Sequence, residues 1–356
     1  HSLEFLQMPP RRKPKPRPRS KSHVAKRRIK RENLISRDGQ LLYIKFKNTD
    51  PRVDTEGNEY KRHFKIETLT NAFSKQVRTN DKFVLSTIRQ VLGNNAATNI
   101  DAELVQESRY RLTFRLRVQT EKRKQATFGL VVAKNSNEYS ELTRLEHSLM
   151  RILHERIPKL TVEPYKGGTI FLPDRHRRKE HDRDIYAYMT AWSSGFHELT
   201  LQNDLKFALK SNRLERMTHT QTQSAKRRMV EIILRSYDPG RRNAMSIPLN
   251  PVDSFIAAKP TKGNPQIKLC ACTDMQNRVS PAKLIHRIVG AEWNVRKQIH
   301  ALLPDDPEQF VQALHNALGK TEATDWLHQY RKSVASGRLP EFHRLDLYTL
   351  EQLGIS

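Results

Sequence analysis

The feature that most constrains the fold of this chain is a strict two-residue alternation from Arg109 to Gln119. Successive side chains of an extended strand point to opposite faces, so this stretch separates into an apolar face and a polar face. The apolar positions are Tyr110, Leu112, Phe114, Leu116 and Val118, and the polar positions include Arg109, Arg111, Thr113, Arg115 and Arg117. We therefore expect a β-sheet that buries one face and carries arginines on the other.

The arginine face of this predicted strand has two interpretations. Alternate residues of a strand lie about 7 Å apart, which resembles the spacing of phosphates along one DNA strand. On this interpretation the nucleic-acid contacts are Arg109, Arg111, Arg115 and Arg117. Acidic residues on a neighbouring strand would pair with the same arginines equally well. The sequence leaves both alternatives open.

An N-terminal basic arm indicates the class of partner. Among 356 residues, 64 Lys and Arg stand against 38 Asp and Glu, which gives a formal net charge of +26. Residues 11–31 hold 12 of these basic residues, no acid, and several prolines, so we expect a disordered arm. Such an arm can follow a phosphate backbone, and its predicted contacts are Arg11, Arg12, Lys13, Lys15, Arg17, Arg19, Lys26, Arg27, Arg28, Lys30 and Arg31. A solubilising or targeting tail is the alternative.

Positive charge is not confined to the arm. The rest of the chain keeps 52 basic residues against 38 acidic ones, so a net charge of +14 remains there. A basic folded surface is typical of nucleic-acid-binding proteins. A triplet near the start of a predicted helix at 221–236 is a further candidate for phosphate contact; it comprises Lys226, Arg227 and Arg228.

Several classes of protein are excluded by composition. No apolar run approaches the roughly 20 residues that a membrane-spanning helix needs, so we expect no membrane partner and an intracellular location. Two cysteines, Cys270 and Cys272, cannot build a disulfide framework and lack further ligands at zinc-site spacing, so we expect no bound metal. The sequence does not distinguish DNA from RNA, and an acidic protein is the alternative partner.

The pattern along the chain predicts an α+β fold, with a small antiparallel sheet and a packed helix followed by a mostly helical half. Residues 1–33 are expected to be a tag remnant and the arm, with domains or lobes at 34–100, 101–192 and 193–356. The predicted strands are 41–46, 109–119, 126–134, 160–172, 184–191 and 267–272. The predicted helices with defined bounds are 69–79, 202–212, 221–236, 280–303, 307–318 and 321–335. Two more helices are predicted: one ends before Gly93, and the other carries Leu145, Leu149 and Ile152. Residues 94–102 are expected to be a polar link.

This order of elements, from about Arg109 to Leu303, resembles the protein-kinase-like fold of the aminoglycoside phosphotransferases and related small kinases. Val131-Val132-Ala133-Lys134 occupies the place of the strand that ends in the nucleotide-binding lysine. The resemblance implies that Lys134 holds the phosphates of Mg-ATP and pairs with a helix glutamate, among Glu138, Glu141 and Glu146. It also implies that Asp253 and Asp274 are the catalytic base and the metal ligand.

The sequence departs from the kinase pattern at its catalytic motifs. The turn at 120–125 contains no glycine, and Ala258 stands five residues after Asp253, where kinases have a metal-binding Asn. We therefore expect a nucleic-acid-binding protein without catalysis and without a cofactor, with a phosphotransferase or pseudokinase scaffold as the alternative. A second alternative is a metal-dependent nuclease, for which the acidic candidates are Asp50, Asp54, Glu56 and Glu59.

Overall fold

The structure of the chain, a computed structural model, describes residues 41–52, 58–79, 83–134, 136–172, 184–201, 206–210, 214–247, 254–259, 264–290 and 302–339. The predicted arm and tag remnant at 1–33 lie outside these described residues. The described residues all belong to one compact unit. Its helices and strands give the α+β fold that the sequence predicts.

The first sheet has six strands in the order β1-β2-β3-β4-β6-β5. Their bounds are Tyr43–Lys47 for β1, Ala97–Glu107 for β2, Arg111–Thr120 for β3, Gln125–Ala133 for β4, Pro164–Phe171 for β5 and Asp184–Ala191 for β6. β1 lies parallel to β2, and every other pair of neighbours is antiparallel. The predicted polar link at 94–102 is wrong: β2 begins at Ala97, and the expected boundary at 100 falls within this strand. β2 alternates as a strand should, with Ile100, Ala102 and Leu104 buried on one face and the partly exposed Asp101 and Glu103 on the other.

One face of the first sheet is apolar and packs against two helices. These are α1, Ile66–Thr79, and α2, Val84–Leu92, which ends at Gly93 with a φ of 73° in the left-handed region. Leu112, Phe114 and Leu116 of β3 are fully buried in this core, as the alternation predicts. The opposite face of β3 therefore carries Arg111, Arg115 and Arg117.

A long helix, α3, lies against that opposite face. It spans Asn137–Arg156, and its N-cap Ser136 accepts a hydrogen bond from the backbone N–H of Tyr139. The predicted apolar stripe is only partly right, since Leu145 and Ile152 are exposed. The turns that face the sheet bury polar side chains instead: Ser140, Thr143, Glu146 and His147. Leu149, Met150 and Leu153 join a second core in the C-terminal half.

The C-terminal half contains a second sheet, of which the sequence pattern predicted only the strand at 267–272, where β12 lies. Its five strands have the order β12-β11-β7-β8-β9. The bounds are Phe196–Leu201 for β7, Phe207–Lys210 for β8, Leu214–Arg216 for β9, Phe255–Ala258 for β11 and Ile267–Leu269 for β12, and β10, Ala244–Met245, pairs separately with β13, Met275–Gln276. The predicted helix at 202–212 is therefore wrong over β8. Short apolar runs have no clear period, so strand and helix are hard to separate there.

The remaining helices enclose the second core. They are α4, His219–Arg235, α5, Pro281–Gly290, α6, Pro307–Leu318, and α7, Lys320–Ala335. Thr218 starts α4 with a capping box, in which its side chain and that of Gln221 bond each other's backbone N–H. These helices confirm the predictions at 221–236, 307–318 and 321–335, and α5 confirms the first part of 280–303.

Candidate functional site

The polar face of the first sheet carries rows of alternating charge across its strands. The register places Lys45 opposite Asp101, and Asp101 opposite Arg117. In the next row Glu103 pairs with Arg115, and Arg117 Nη2 also lies 3.9 Å from Glu103 Oε2. The hydrogen bond from Arg115 holds the pKa of Glu103 below its ordinary value. Cross-strand pairing, the second interpretation of the arginine face, therefore describes Arg115, whereas Arg117 keeps a side chain that is 57% exposed.

Arg111 belongs to a buried polar cluster rather than to the exposed surface. Its Nη1 donates to Glu146 Oε1 at 3.0 Å, and its side chain is only 4% exposed. Glu146 also accepts a hydrogen bond of 2.5 Å from the Tyr110 hydroxyl and one from the Tyr188 hydroxyl. Burial and the Glu146 carboxylate raise the pKa of both tyrosines well above its ordinary value, so both stay protonated donors. Arg111 therefore does not belong to an exposed arginine face, which the nucleic-acid interpretation of the strand expects.

A buried histidine extends this cluster along α3. His147 stacks on the Tyr188 ring at a centroid distance of 4.6 Å. Its Nε2 lies 2.6 Å from the carbonyl oxygen of Tyr165, which can only accept, so Nε2 carries the proton. Burial lowers the pKa of His147 below its ordinary value, and its neutral Nδ1 then accepts from the Tyr186 hydroxyl at 2.7 Å. The imidazole is thus held in one tautomer by two partners.

Lys134 pairs with a different glutamate from the one that the kinase resemblance implies. Its Nζ lies 3.1 Å from Glu107 Oε1 on β2, and 4.5 Å from the ring centroid of Tyr60. Arg62 binds the same Glu107 carboxylate through two hydrogen bonds of 2.9 and 2.6 Å. Burial lowers the pKa of Lys134 below its ordinary value. The pKa of Glu107 is also lowered: burial alone would raise it, but hydrogen bonds from Arg62 and from the Arg52 backbone N–H outweigh that effect. Glu146 is the partner of Arg111 instead, so Lys134 and Glu146 do not form a pair.

Each residue of the Lys226-Arg227-Arg228 triplet on α4 has a partner within the protein. The Lys226 side chain is 1% exposed, and its Nζ lies 3.2 Å from Asp305 Oδ1. Arg227 donates to Gln312 of α6 at 2.6 Å, and Arg228 donates to Glu231 of its own helix at 2.7 Å. Phosphate contact by Lys226 is therefore not supported by its position. The sequence could not show this, because Asp305 and Gln312 follow about 80 residues later.

Among the described residues, the structure does not bring together the acidic residues that the kinase-like and nuclease alternatives need. Asp274 is exposed and accepts a hydrogen bond of 2.5 Å from Ser246, whereas Asp253 lies outside the described residues. Of the nuclease candidates, Asp54 and Glu56 also lie outside them. Within the described ranges, no group of three or more His, Cys, Asp or Glu side chains is placed to hold a metal ion. In those ranges no helix is long and apolar enough to cross a membrane.

A cavity of about 750 Å³ lies between the two sheets. The first sheet contributes the arginine face of β3, and the second sheet contributes side chains of β7, β9 and β11. Trp192, in the connection between the sheets, lines the cavity, and the Arg115 guanidinium lies 5.7 Å from the centroid of its indole ring. The arginine face that the sequence singles out thus forms one wall of this cavity.

A second feature of the first sheet is an exposed basic end, which we call the basic sheet end: Lys45, Arg117, Lys122, Arg123 and Lys124. The last three form the turn between β3 and β4. The register pairs Ala97 at the start of β2 with Thr120, and Tyr43 at the start of β1 with Asn99, so the turn and the start of β1 share one end of the sheet. The sequence shows this turn, which also holds Glu121, but only the sheet order brings it to the same end of the sheet as the start of β1, with β2 between them.

Arg123 gives the turn an uncommon backbone conformation. Its φ is 58°, in the left-handed region, and its N–H donates to the Thr120 carbonyl at 2.9 Å. A residue other than glycine costs about 1–2 kcal/mol there. The arginine at this position therefore lowers the stability of the turn relative to glycine.

Compared with models of known protein families and with curated proteins, the sequence matches none.

Proposed function

We propose that this protein binds nucleic acid through its N-terminal arm and the basic sheet end. The observation that carries the proposal is the grouping of Lys122, Arg123 and Lys124 with Lys45 and Arg117 at the end of the sheet where β1 begins. The arm precedes β1 in the sequence, so one basic segment leads into another. Phosphate neutralisation by such residues supplies affinity that does not depend on base sequence.

The basic residues that form ion pairs within the fold are not part of the basic sheet end. Arg111, Arg115 and Lys226 form ion pairs within the fold, so their charges are largely balanced there. Arg109 and Arg117 are exposed and remain candidates for phosphate contact. The kinase-like alternative lacks a supporting observation in the described part of the chain, because Lys134 is fully buried and pairs with Glu107.

The test is a salt titration of binding to single-stranded and double-stranded oligonucleotides. For binding by phosphate neutralisation, log K falls linearly with log salt, with a slope near −0.9 per phosphate on a duplex. Deleting residues 8–31 should make that slope shallower by several units. The triple variant Lys122→Gln/Arg123→Gln/Lys124→Gln should make it shallower by about two or three units, because up to three phosphate contacts are lost.

The matched control changes three exposed basic residues far from the sheet: Lys320→Gln/Lys332→Gln/Arg338→Gln. It removes the same charge, so it corrects for the general effect of net charge and should reduce the slope much less. Equal effects of the two triple variants would show that the basic sheet end has no special role. Binding that is insensitive to salt, or no binding at low salt, would refute the proposed function.

A further inference from the structure

Two guanidinium groups in the wall of the cavity have N–H donors that the protein does not use. Arg111 Nε and Arg115 Nε are both buried, and neither has a hydrogen-bond partner in the described part of the chain. The Arg111 side chain is 96% buried by this measure, since only 4% is exposed. A buried donor without a partner costs about 1–3 kcal/mol, and more when the group is charged. An acceptor that enters the site would remove this cost.

The same wall offers a flat surface next to these donors. Trp192 is half-buried, and its indole ring lies beside the Arg115 guanidinium. Phe196 lies close by and also lines the cavity. Aromatic rings next to arginines stack nucleobases, while the planar guanidinium group suits the oxygens of a phosphate. The volume of about 750 Å³ is within the range of sites for small ligands.

The wall formed by the second sheet contributes two carboxylates. Glu198 of β7 and Glu215 of β9 both line the cavity, and Glu215 lies 2.9 Å from Lys259. A ligand that carries negative charge along its whole length would meet these carboxylates unfavourably. A ligand with one anionic end and one end that donates hydrogen bonds fits both walls.

We infer that the cavity binds one nucleoside 5′-monophosphate unit, with its phosphate at Arg111 and Arg115, its base against Trp192 and its amino group toward Glu198 and Glu215. This inference is independent of the proposed function, because the ligand unit can be a free nucleotide or the 5′ end of a bound strand. Arg117 lines the cavity and also belongs to the basic sheet end. A strand on the basic sheet end could therefore place its terminal nucleotide in the cavity.

The test is calorimetric titration of the full chain with AMP, adenosine, inorganic phosphate and IMP. We expect AMP to bind with one-to-one stoichiometry, and adenosine and phosphate to bind at least tenfold more weakly. IMP lacks the exocyclic amino group of adenine and should bind several-fold more weakly than AMP. No binding of AMP at millimolar concentration, or equal binding of AMP and adenosine, would overturn the inference.

Two variants distinguish a direct role of the Arg115 guanidinium in AMP binding from a structural role of its ion pair with Glu103. Arg115→Gln should weaken the binding of AMP at least tenfold, and Trp192→Leu should weaken it several-fold. Glu103→Gln breaks the same ion pair but leaves the guanidinium, so it should tighten AMP binding. If Arg115→Gln and Glu103→Gln both weaken AMP, the pair has only a structural role and the inference is wrong. Arg338→Gln, at an exposed position outside the cavity, is the control for a lost arginine charge.

Competition identifies the source of the ligand. A 5′-phosphorylated single-stranded oligonucleotide that displaces AMP, while its unphosphorylated form does not, would identify a strand end as the source. Retained AMP binding without displacement would identify a free nucleotide. The triple variant Lys122→Gln/Arg123→Gln/Lys124→Gln should weaken the oligonucleotide but not AMP. Failure of the proposed function and failure of the cavity site thus give different results.

Discussion

Replacing Glu146 by glutamine should destabilise the protein by about 3–5 kcal/mol, because the change leaves the buried charge of Arg111 without its counter-charge. The loss is large because Glu146 is fully buried and the Arg111 side chain is only 4% exposed, so water cannot take over the role of the carboxylate. The neutral amide also accepts more weakly from the hydroxyls of Tyr110 and Tyr188 than the carboxylate does.

Arg111→Met should cost less, about 2–3 kcal/mol, since Glu146 keeps two tyrosine donors. The double variant Glu146→Gln/Arg111→Met contains no buried charge at this place. We therefore expect its loss to fall short of the sum of the single losses by about 2 kcal/mol or more.

Urea unfolding followed by tryptophan fluorescence measures all three variants. At a slope of about 3 kcal/mol/M, Glu146→Gln should lower the midpoint by about 1–1.7 M. Losses that add within about 0.5 kcal/mol would show that the two residues are not coupled. Single losses below about 1 kcal/mol would show that water reaches the pair, and either result would refute the reasoning.

Three further perturbations test other parts of the structure. Arg123→Gly should stabilise the fold by up to about 1 kcal/mol, because glycine adopts a positive φ without strain, yet weaken oligonucleotide binding; reduced stability in urea would contradict this. The lowered pKa of His147 means that the unfolded chain takes up the proton more readily, so stability should fall as the pH drops below about 6.5, and His147→Gln should flatten that fall in a pH series of urea midpoints. Mg-ATP should leave the melting temperature unchanged, because Lys134 is buried against Glu107; a magnesium-dependent rise that Lys134→Ala abolishes would favour the kinase-like alternative.

Local patterns predict much of the first sheet because they depend on neighbours in the sequence. The alternation in β3 and the apolar run of β4 determine their burial directly. The second sheet is not predictable in this way. Its strands are three to six residues long, which is too short for a period of two to be distinguished from a helical one.

Local sequence patterns also do not predict which charged side chains form ion pairs and which stay exposed. Arg111 and Arg115 alternate on one strand and look equivalent in the sequence, yet Arg111 meets Glu146 of α3 and Arg115 meets Glu103 of β2. Lys226 and Arg228 are neighbours on one helix, yet one is buried and the other is partly exposed. Which arginine is available to a ligand depends on the acids that folding brings to it, and these are 12 to 35 residues away on the chain.

The parallel pairing of β1 with β2 has a consequence for the order in which the protein folds. Tyr43 pairs with Asn99, so this contact closes a loop of more than 50 residues that contains α1 and α2, whereas β2, β3 and β4 are joined by short turns. Loop closure costs entropy before the contact repays it, so we expect the antiparallel strands to form first and β1 to add last. A ligand on the arm and the basic sheet end would then secure the last strand, and amide hydrogens of β1 should exchange more slowly when it is bound.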